Sequence, residues 1–244
     1  TQQFAGFVLV NPLHAAQPEP PLEASPYLPT SRRYVNPLYI RPELIPEFAE
    51  LDEKSRARIA HLKSRLRKDL AGESLICRNE VWEAKIEALR VIYEHGLRPV
   101  RRMAFNDFWR REGRSLTQFA TWSALVTRFG GDWREWPAEL RRPSSPTVAL
   151  FAQQHVDQII FYAWLQWVAD NQLRAAQSAA TDAGMRIGIM NDLAVGVSPW
   201  SAEAWTFGNL FADGIGVGAP PDPFNQAGQD WGQAPWRPDR LDDL

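Results

Sequence analysis

Apolar residues recur every three or four positions through the middle of the chain. Ile59, Leu62, Leu66 and Leu70 fall on one helical face, and Trp82, Ile86, Leu89 and Tyr93 fall on another. The stretch SLTQFATWSALVTRFGG predicts a third helix, with a capping-box pattern at Ser115 and Gln118 and a stop at Gly130. Ser145 followed by Pro146 predicts the start of a fourth. Its stripe of Val148, Ala152, Val156, Ile159, Ile160, Ala163 and Trp167 runs on to about Ala183, ahead of Gly184, and is long enough to hold a kink. Ser198 and Pro199 open a short helix that contains Glu203 and Trp205.

Two runs have the apolar character of strands covered on both faces. They are FAGFVLVNPLHA, Phe4 to Ala15, and MRIGIMNDLAVGV, Met185 to Val197, with GIGVG as a possible third. Between and after them, Ala16 to Pro42 and residues 220–238 are too rich in proline and glycine for regular structure, and both are read as loops. A helix leading into a buried strand is the pattern of α/β proteins. A closed eight-stranded barrel takes about 250 residues with regularly spaced strands, so a barrel in this chain would be only part of one. The pattern divides into a strand with its Pro-rich loop at 1–42, a helical insert at 43–143, and a helix, strand and loop at 144–244. No repeat of 20 to 50 residues is visible.

Composition narrows the function classes. The 244 residues are 45% hydrophobic and 23% charged, which is ordinary for a globular protein. The formal net charge of −2 gives no field to attract nucleic acid or an anionic membrane surface. A single cysteine, Cys77, excludes an internal disulfide, and the four histidines show no metal-ligand spacing. No signal peptide or membrane-spanning run is visible, so a cytoplasmic location is expected. The chain starts at Thr1, a few residues before an apolar strand, as though cut from something longer.

Of the 11 tryptophans, Trp82, Trp109, Trp122, Trp164 and Trp167 lie on helical stripes and are read as core. Tyr27, Phe224, Trp231 and Trp236 lie instead in the Pro/Gly-rich segments. Rings in such loops suit the flat apolar faces of sugars, and nearby amides such as Asn225, Gln226 and Gln229 suit hydroxyls. The competing reading is that these rings pin their loops to the body. Asp192 either takes a structural hydrogen bond or contacts substrate, and His14 reads as a structural hydrogen-bonding residue. Basic runs such as HLKSRLRKDL read as solvated helix faces, and GIGVGAP lacks the context of a dinucleotide loop.

Three stretches in order, VNPLHAAQPEPPLEASPYLPTSRRYVNPLYI, RIGIMNDLAVGV and GVGAPPDPFNQAGQDWG, resemble the bacterial 4-α-glucanotransferases. These amylomaltases, or disproportionating enzymes, form glycoside hydrolase family 77, and the resemblance covers essentially the whole chain. It implies an α/β fold, a partial (β/α)8 TIM barrel of the α-amylase type with a large inserted helical subdomain. It implies α-1,4-glucans (maltooligosaccharides, maltodextrin) as partners, no metal or organic cofactor, and a retaining double displacement through an Asp nucleophile, a Glu general acid/base and a third carboxylate. In the family those carboxylates follow the lid loop, so the resemblance places them beyond Leu244 and a first barrel strand ahead of Thr1. No catalytic residue is therefore assigned here, and the chain by itself is expected not to turn over glucan and to expose sheet edges that favour association.

The same resemblance identifies residues 220–238 as a lid that helps exclude water. Carried across residue by residue, it assigns substrate binding to Ser25, Tyr27, Asp192, Phe224, Asn225, Gln229 and Trp231. Pro26 and Gly228 match the same motifs. Trp231 and Gln229 stand toward the acceptor, and Asp192 supports. Trp200 stands where relatives carry an acidic residue or glycine. The alternatives are a non-catalytic glucan-binding or scaffold module, and a glucan hydrolase on the same barrel.

Overall fold

The computed structural model describes residues 5–72 and 75–243. Its helices are α1 (Glu53–Asp69), α2 (Arg78–His95), α3 (Pro99–Phe129), α4 (Pro146–Gln154), α5 (Val156–Asp182) and α6 (Ala202–Thr206). Three of them, α1, α4 and α6, begin at a side-chain cap. Asp52 accepts from Ser55 N at 2.7 Å to cap α1, and Ser201 Oγ accepts from Ala204 N at 3.0 Å to cap α6. Ser145 Oγ accepts from Val148 N at 3.1 Å, with Pro146 at the first position of α4. Ser145→Ala is expected to cost about 1 kcal/mol, read as a lower urea midpoint with an unchanged slope.

The α5 segment from Phe161 to Ala169 is buried on every side, as befits a helix packed between others. It lies against α3, and one apolar cluster runs from Ala15 through Trp122 and Trp164 to Trp205. Tyr34 stacks on Phe119 with centroids 4.4 Å apart, which ties the Pro-rich segment to this core. Buried Glu47 forms a two-pronged ion pair with Arg101, whose guanidinium also lies 4.2 Å from the centre of the Trp167 ring. Among the described residues no helix is long and apolar enough to cross a membrane.

Two helix expectations are refined. Gly113, at φ 61° and ψ −137°, is non-helical and divides α3 into two helical segments, a conformation open to glycine at little cost, so a helical segment starts close to the capping-box pattern at Ser115. The Ser115 Oγ also accepts from the Tyr34 hydroxyl at 3.0 Å. The long helix expected from Ser145 to about Ala183, with room for a kink, is broken at His155, which has φ −120° and ψ 30°, into two helices. The break leaves Val156 exposed even though it fits the stripe.

The strands are β1 (Phe7–Val10), β2 (His14–Ala15), β3 (Ser31–Val35), β4 (Gly188–Asn191), β5 (Val217–Ala219) and β6 (Gln229–Gln233). β1 and β4 pair in parallel, Phe7 with Gly188 and Val10 with Asn191, with the helices between them in sequence. This is the predicted α/β arrangement. The expectation of strands covered on both faces fails for β1, where Phe7, Val8 and Leu9 are 46%, 44% and 57% exposed. Among the described residues only these two strands make up this sheet; α5 packs against β4, and β1 has no strand on its other edge. Phe4, expected to begin the strand, lies outside the described residues.

Neither Pro-rich segment is pure loop. β3, in the stretch read as too broken for a sheet, pairs antiparallel with β2. β5 falls within and just after GIGVG, and pairs antiparallel with β6 inside the segment read as a loop. At Gly218 the two backbones approach closely. A Cβ on Gly218 would lie 2.0 Å from the Gln229 carbonyl oxygen, so only glycine fits there.

Candidate functional site

The region after β4 gathers the chemistry. Asp192 directly follows the strand and accepts from the Tyr27 hydroxyl at 2.6 Å and from Leu193 N at 2.8 Å. The Tyr27 loop is itself a built turn, in which Tyr27 N donates to Ser25 Oγ at 3.2 Å and Ser25 N donates to Glu23 Oε1 at 2.9 Å. The short bond to Tyr27, followed by that to Leu193 N, holds the Asp192 carboxyl below the usual aspartate range, and the same contact raises the Tyr27 hydroxyl. A depressed carboxyl favours the folded contact at neutral pH and loses that contribution as pH falls through its folded value, below about 3.9. Tyr27→Phe is expected to move the Asp192 titration, followed by carboxyl NMR, up toward the ordinary value.

Beneath this pair lies a polar lattice. Arg32 donates from Nη1 to the carbonyls of Val195, at 2.9 Å, and Ala194, at 3.2 Å. Glu203 Oε1 accepts from Ser31 Oγ at 2.9 Å and Arg32 N at 2.8 Å. His14 Nε2 accepts from Ala194 N at 3.2 Å, and burial followed by nearby Arg32 pushes the ring below its ordinary pKa. This is the structural hydrogen bond expected of His14. These contacts lock the segment after β4 onto β2 and β3.

The hairpin β5–β6 closes over the same region. Ser25, Tyr27, Leu28, Val195, Trp231 and Gln233 line an open pocket of about 330 Å³. Tyr27 and Trp231 are 42% and 39% exposed, so two aromatic rings from distant parts of the chain face solvent around one depression. Gln229 Oε1 accepts from Trp231 Nε1 at 3.0 Å. The tip of the hairpin is organised by Asp222, whose Oδ1 accepts from Phe224 N and Asn225 N, both at 2.7 Å. Asn225 Oδ1 in turn accepts from Ala227 N at 3.2 Å.

The structure thus brings Ser25, Tyr27, Asp192, Gln229 and Trp231 into one neighbourhood. Phe224, fully exposed, and Asn225 sit apart at the hairpin tip. Trp231 belongs to a strand rather than to a loop. Trp236 packs at a tilt on Phe211, with centroids 4.3 Å apart, across an isolated bridge, so it pins its segment to the body. Sequence reasoning missed Gln233, Arg32 and Asp222. Among the described residues no cluster of three or more His, Cys, Asp or Glu could hold a metal ion.

Residues 1–243 match the family Glyco_hydro_77, described as 4-alpha-glucanotransferase, and the chain belongs to that family. It is 50% identical over 243 residues to a 4-alpha-glucanotransferase of Mycobacterium bovis, covering 97% of this chain and 33% of the relative. It is 30% identical to that of Haemophilus influenzae, covering 97% and 36%. The crystal structure of amylomaltase from Corynebacterium glutamicum superposes with a TM-score of 0.83 at 45% identity, covering 98% of this chain and 32% of that one. The fold is shared at 22% identity and TM-score 0.75 with an amylomaltase from Streptococcus agalactiae in complex with acarbose. The chain spans about a third of the length of the curated relatives it matches.

Proposed function

We propose that this chain forms part of the glucan-binding cleft of a cytoplasmic 4-α-glucanotransferase that moves α-1,4-glucan segments between maltodextrins by a retaining double displacement. In this reading β1 and β4 are two strands of an α-amylase-type (β/α)8 barrel, residues 43–143 are its inserted helical subdomain, and 144–244 return to the barrel and form the lid. The observation that carries it is the pocket in which the Tyr27 and Trp231 rings face solvent beside Ser25. Rings supply the apolar faces a pyranose stacks on, and hydroxyl and amide groups match its hydroxyls. Gln229 steadies the Trp231 indole, Asp192 steadies the Tyr27 hydroxyl, and Phe224 and Asn225 meet the substrate as the lid closes.

The carboxylates at this site act as supports. Asp192 is bonded to Tyr27 and Leu193 N, and Glu203 to Ser31 and Arg32 N, so each has a structural task. The nucleophile and the general acid/base are assigned to neither, and the transfer chemistry is carried by segments other than those described. A closed lid favours a sugar hydroxyl over water as acceptor, so transfer outruns hydrolysis.

The test incubates the complete gene product with maltotriose and separates the products, with the 244-residue chain in parallel. Glucose together with a ladder of longer maltodextrins, from the complete product alone, is the expected result. Hydrolysis products without a ladder, or no turnover at all, would overturn the proposal.

A further inference from the structure

Gln233 sits where three separate segments cross. It ends β6, and its neighbour Ala234 donates from N to the Val197 carbonyl at 3.1 Å, which anchors the hairpin to the segment after β4. Its own side chain reaches the Pro-rich segment, Nε2 donating to the Tyr27 carbonyl at 2.7 Å. The carbonyl can only accept, which fixes the amide orientation. The side chain is buried, with 3% of the residue exposed, and its Oε1 has no hydrogen-bond partner. A buried polar group with half its capacity unused is costly, so the bond that it does make has to offset that cost.

The space it occupies is made by a missing side chain. A Cβ on Gly196 would lie 3.0 Å from Gln233 Oε1 and 3.2 Å from its Cβ. The bare backbone at Gly196 lets the amide lie flat between the post-β4 segment and the Tyr27 loop. Trp231 is two residues back on the same strand, and Tyr27, Trp231 and Gln233 line the same pocket.

We propose that Gln233 is a positioning residue which, by gripping the Tyr27 backbone from β6, sets the spacing of the Tyr27 and Trp231 rings in the proposed glucan pocket. The role rests on reading that pocket as a glucan site, but the grip itself does not. Hydroxyl and ring positions matter because binding energy falls steeply once partners are displaced by as little as an ångström. Without the grip, the hairpin still hangs from β5 and Val197, but the Tyr27 loop is no longer held to it.

The test uses the complete gene product carrying Gln233→Met, which keeps the length and removes the donor, and Gly196→Ala, which crowds the amide without deleting it. Gln233→Met is expected to raise the maltotriose KM about tenfold with kcat nearly unchanged, and Gly196→Ala to raise it about threefold. Combined with Tyr27→Phe, Gln233→Met adds little, since both act through Tyr27. Gln233→Met is also expected to shift the Asp192 carboxyl titration toward the ordinary aspartate value. An unchanged KM, or effects that add fully with Tyr27→Phe, would overturn the role, as would a loss of thermal stability with KM unchanged. If Gln233→Met does not fold, Gly196→Ala decides alone. If the unsubstituted protein transfers no glucan, the functional reading fails while the Asp192 titration still decides whether Gln233 holds Tyr27.

Discussion

Replacing Trp122 with alanine is expected to destabilise the protein by about 4 kcal/mol, the cost of emptying an aromatic-sized site in a close-packed core. Trp122 is completely buried in α3, stacked against Phe119 at 6.3 Å, inside the cluster that joins α3 to α5. For a domain of this size each kcal/mol moves the melting midpoint by roughly 2–4 °C, so calorimetry should show a fall on the order of 10 °C. Trp122→Phe tests the interpretation. The indole Nε1 is buried without a partner, and leaving such a donor unpaired costs about 1–3 kcal/mol. Phenylalanine removes that penalty along with some volume, so its effect is expected to be well under half that of alanine. A Phe variant as damaged as the Ala variant would show that shape alone governs the site.

Gly218→Val is expected to open the β5–β6 hairpin while the helical core stays folded. The new Cβ would meet the Gln229 carbonyl at 2.0 Å and the Asp230 Cα at 3.4 Å, both of them backbone, so no rotamer change relieves the clash. Hydrogen exchange should report lost protection at residues 217–219 and 229–233 with the slow amides of α3 and α5 unchanged. Trp231 then leaves the pocket. In the proposed glucan site, removal of a central aromatic anchor is worth about 2 kcal/mol, close to a 30-fold loss of affinity for a maltooligosaccharide by titration calorimetry. Protected hairpin amides in this variant would show that the two strands stay paired and accommodate the side chain. Lost protection with unchanged affinity would remove Trp231 from the site.

The helices and the core were legible because burial imposes a period on sequence. Ile59, Leu62, Trp82 and Leu89 are all buried where the 3.6-residue pattern put them. Some local signals also had a tertiary use. Ser115 carries a capping pattern where the second segment of α3 starts after Gly113, and its hydroxyl also serves Tyr34. β6 was unreadable because four of its five residues face solvent, leaving no apolar alternation, and its pairing depends on a close approach at Gly218. The pocket was half legible. Exposed rings among prolines and glycines stood out as Tyr27 and Trp231, and the resemblance added Ser25, Asp192 and Gln229. Gln233 carried no signal, since its role lies in a bond to a backbone oxygen on a segment far away in sequence.

The pairing of β1 with β4 also sets an order of events during synthesis. Phe7–Val10 leaves the ribosome long before Gly188–Asn191 exists, and at roughly 5–20 residues per second the gap is on the order of ten seconds or more. Single helices form in about a microsecond, so α1, α2 and α3 have ample time to form and collapse while β1 waits unpaired. The apolar strand Phe7, Val8 and Leu9 is therefore a nascent segment that stays unpaired while those helices form.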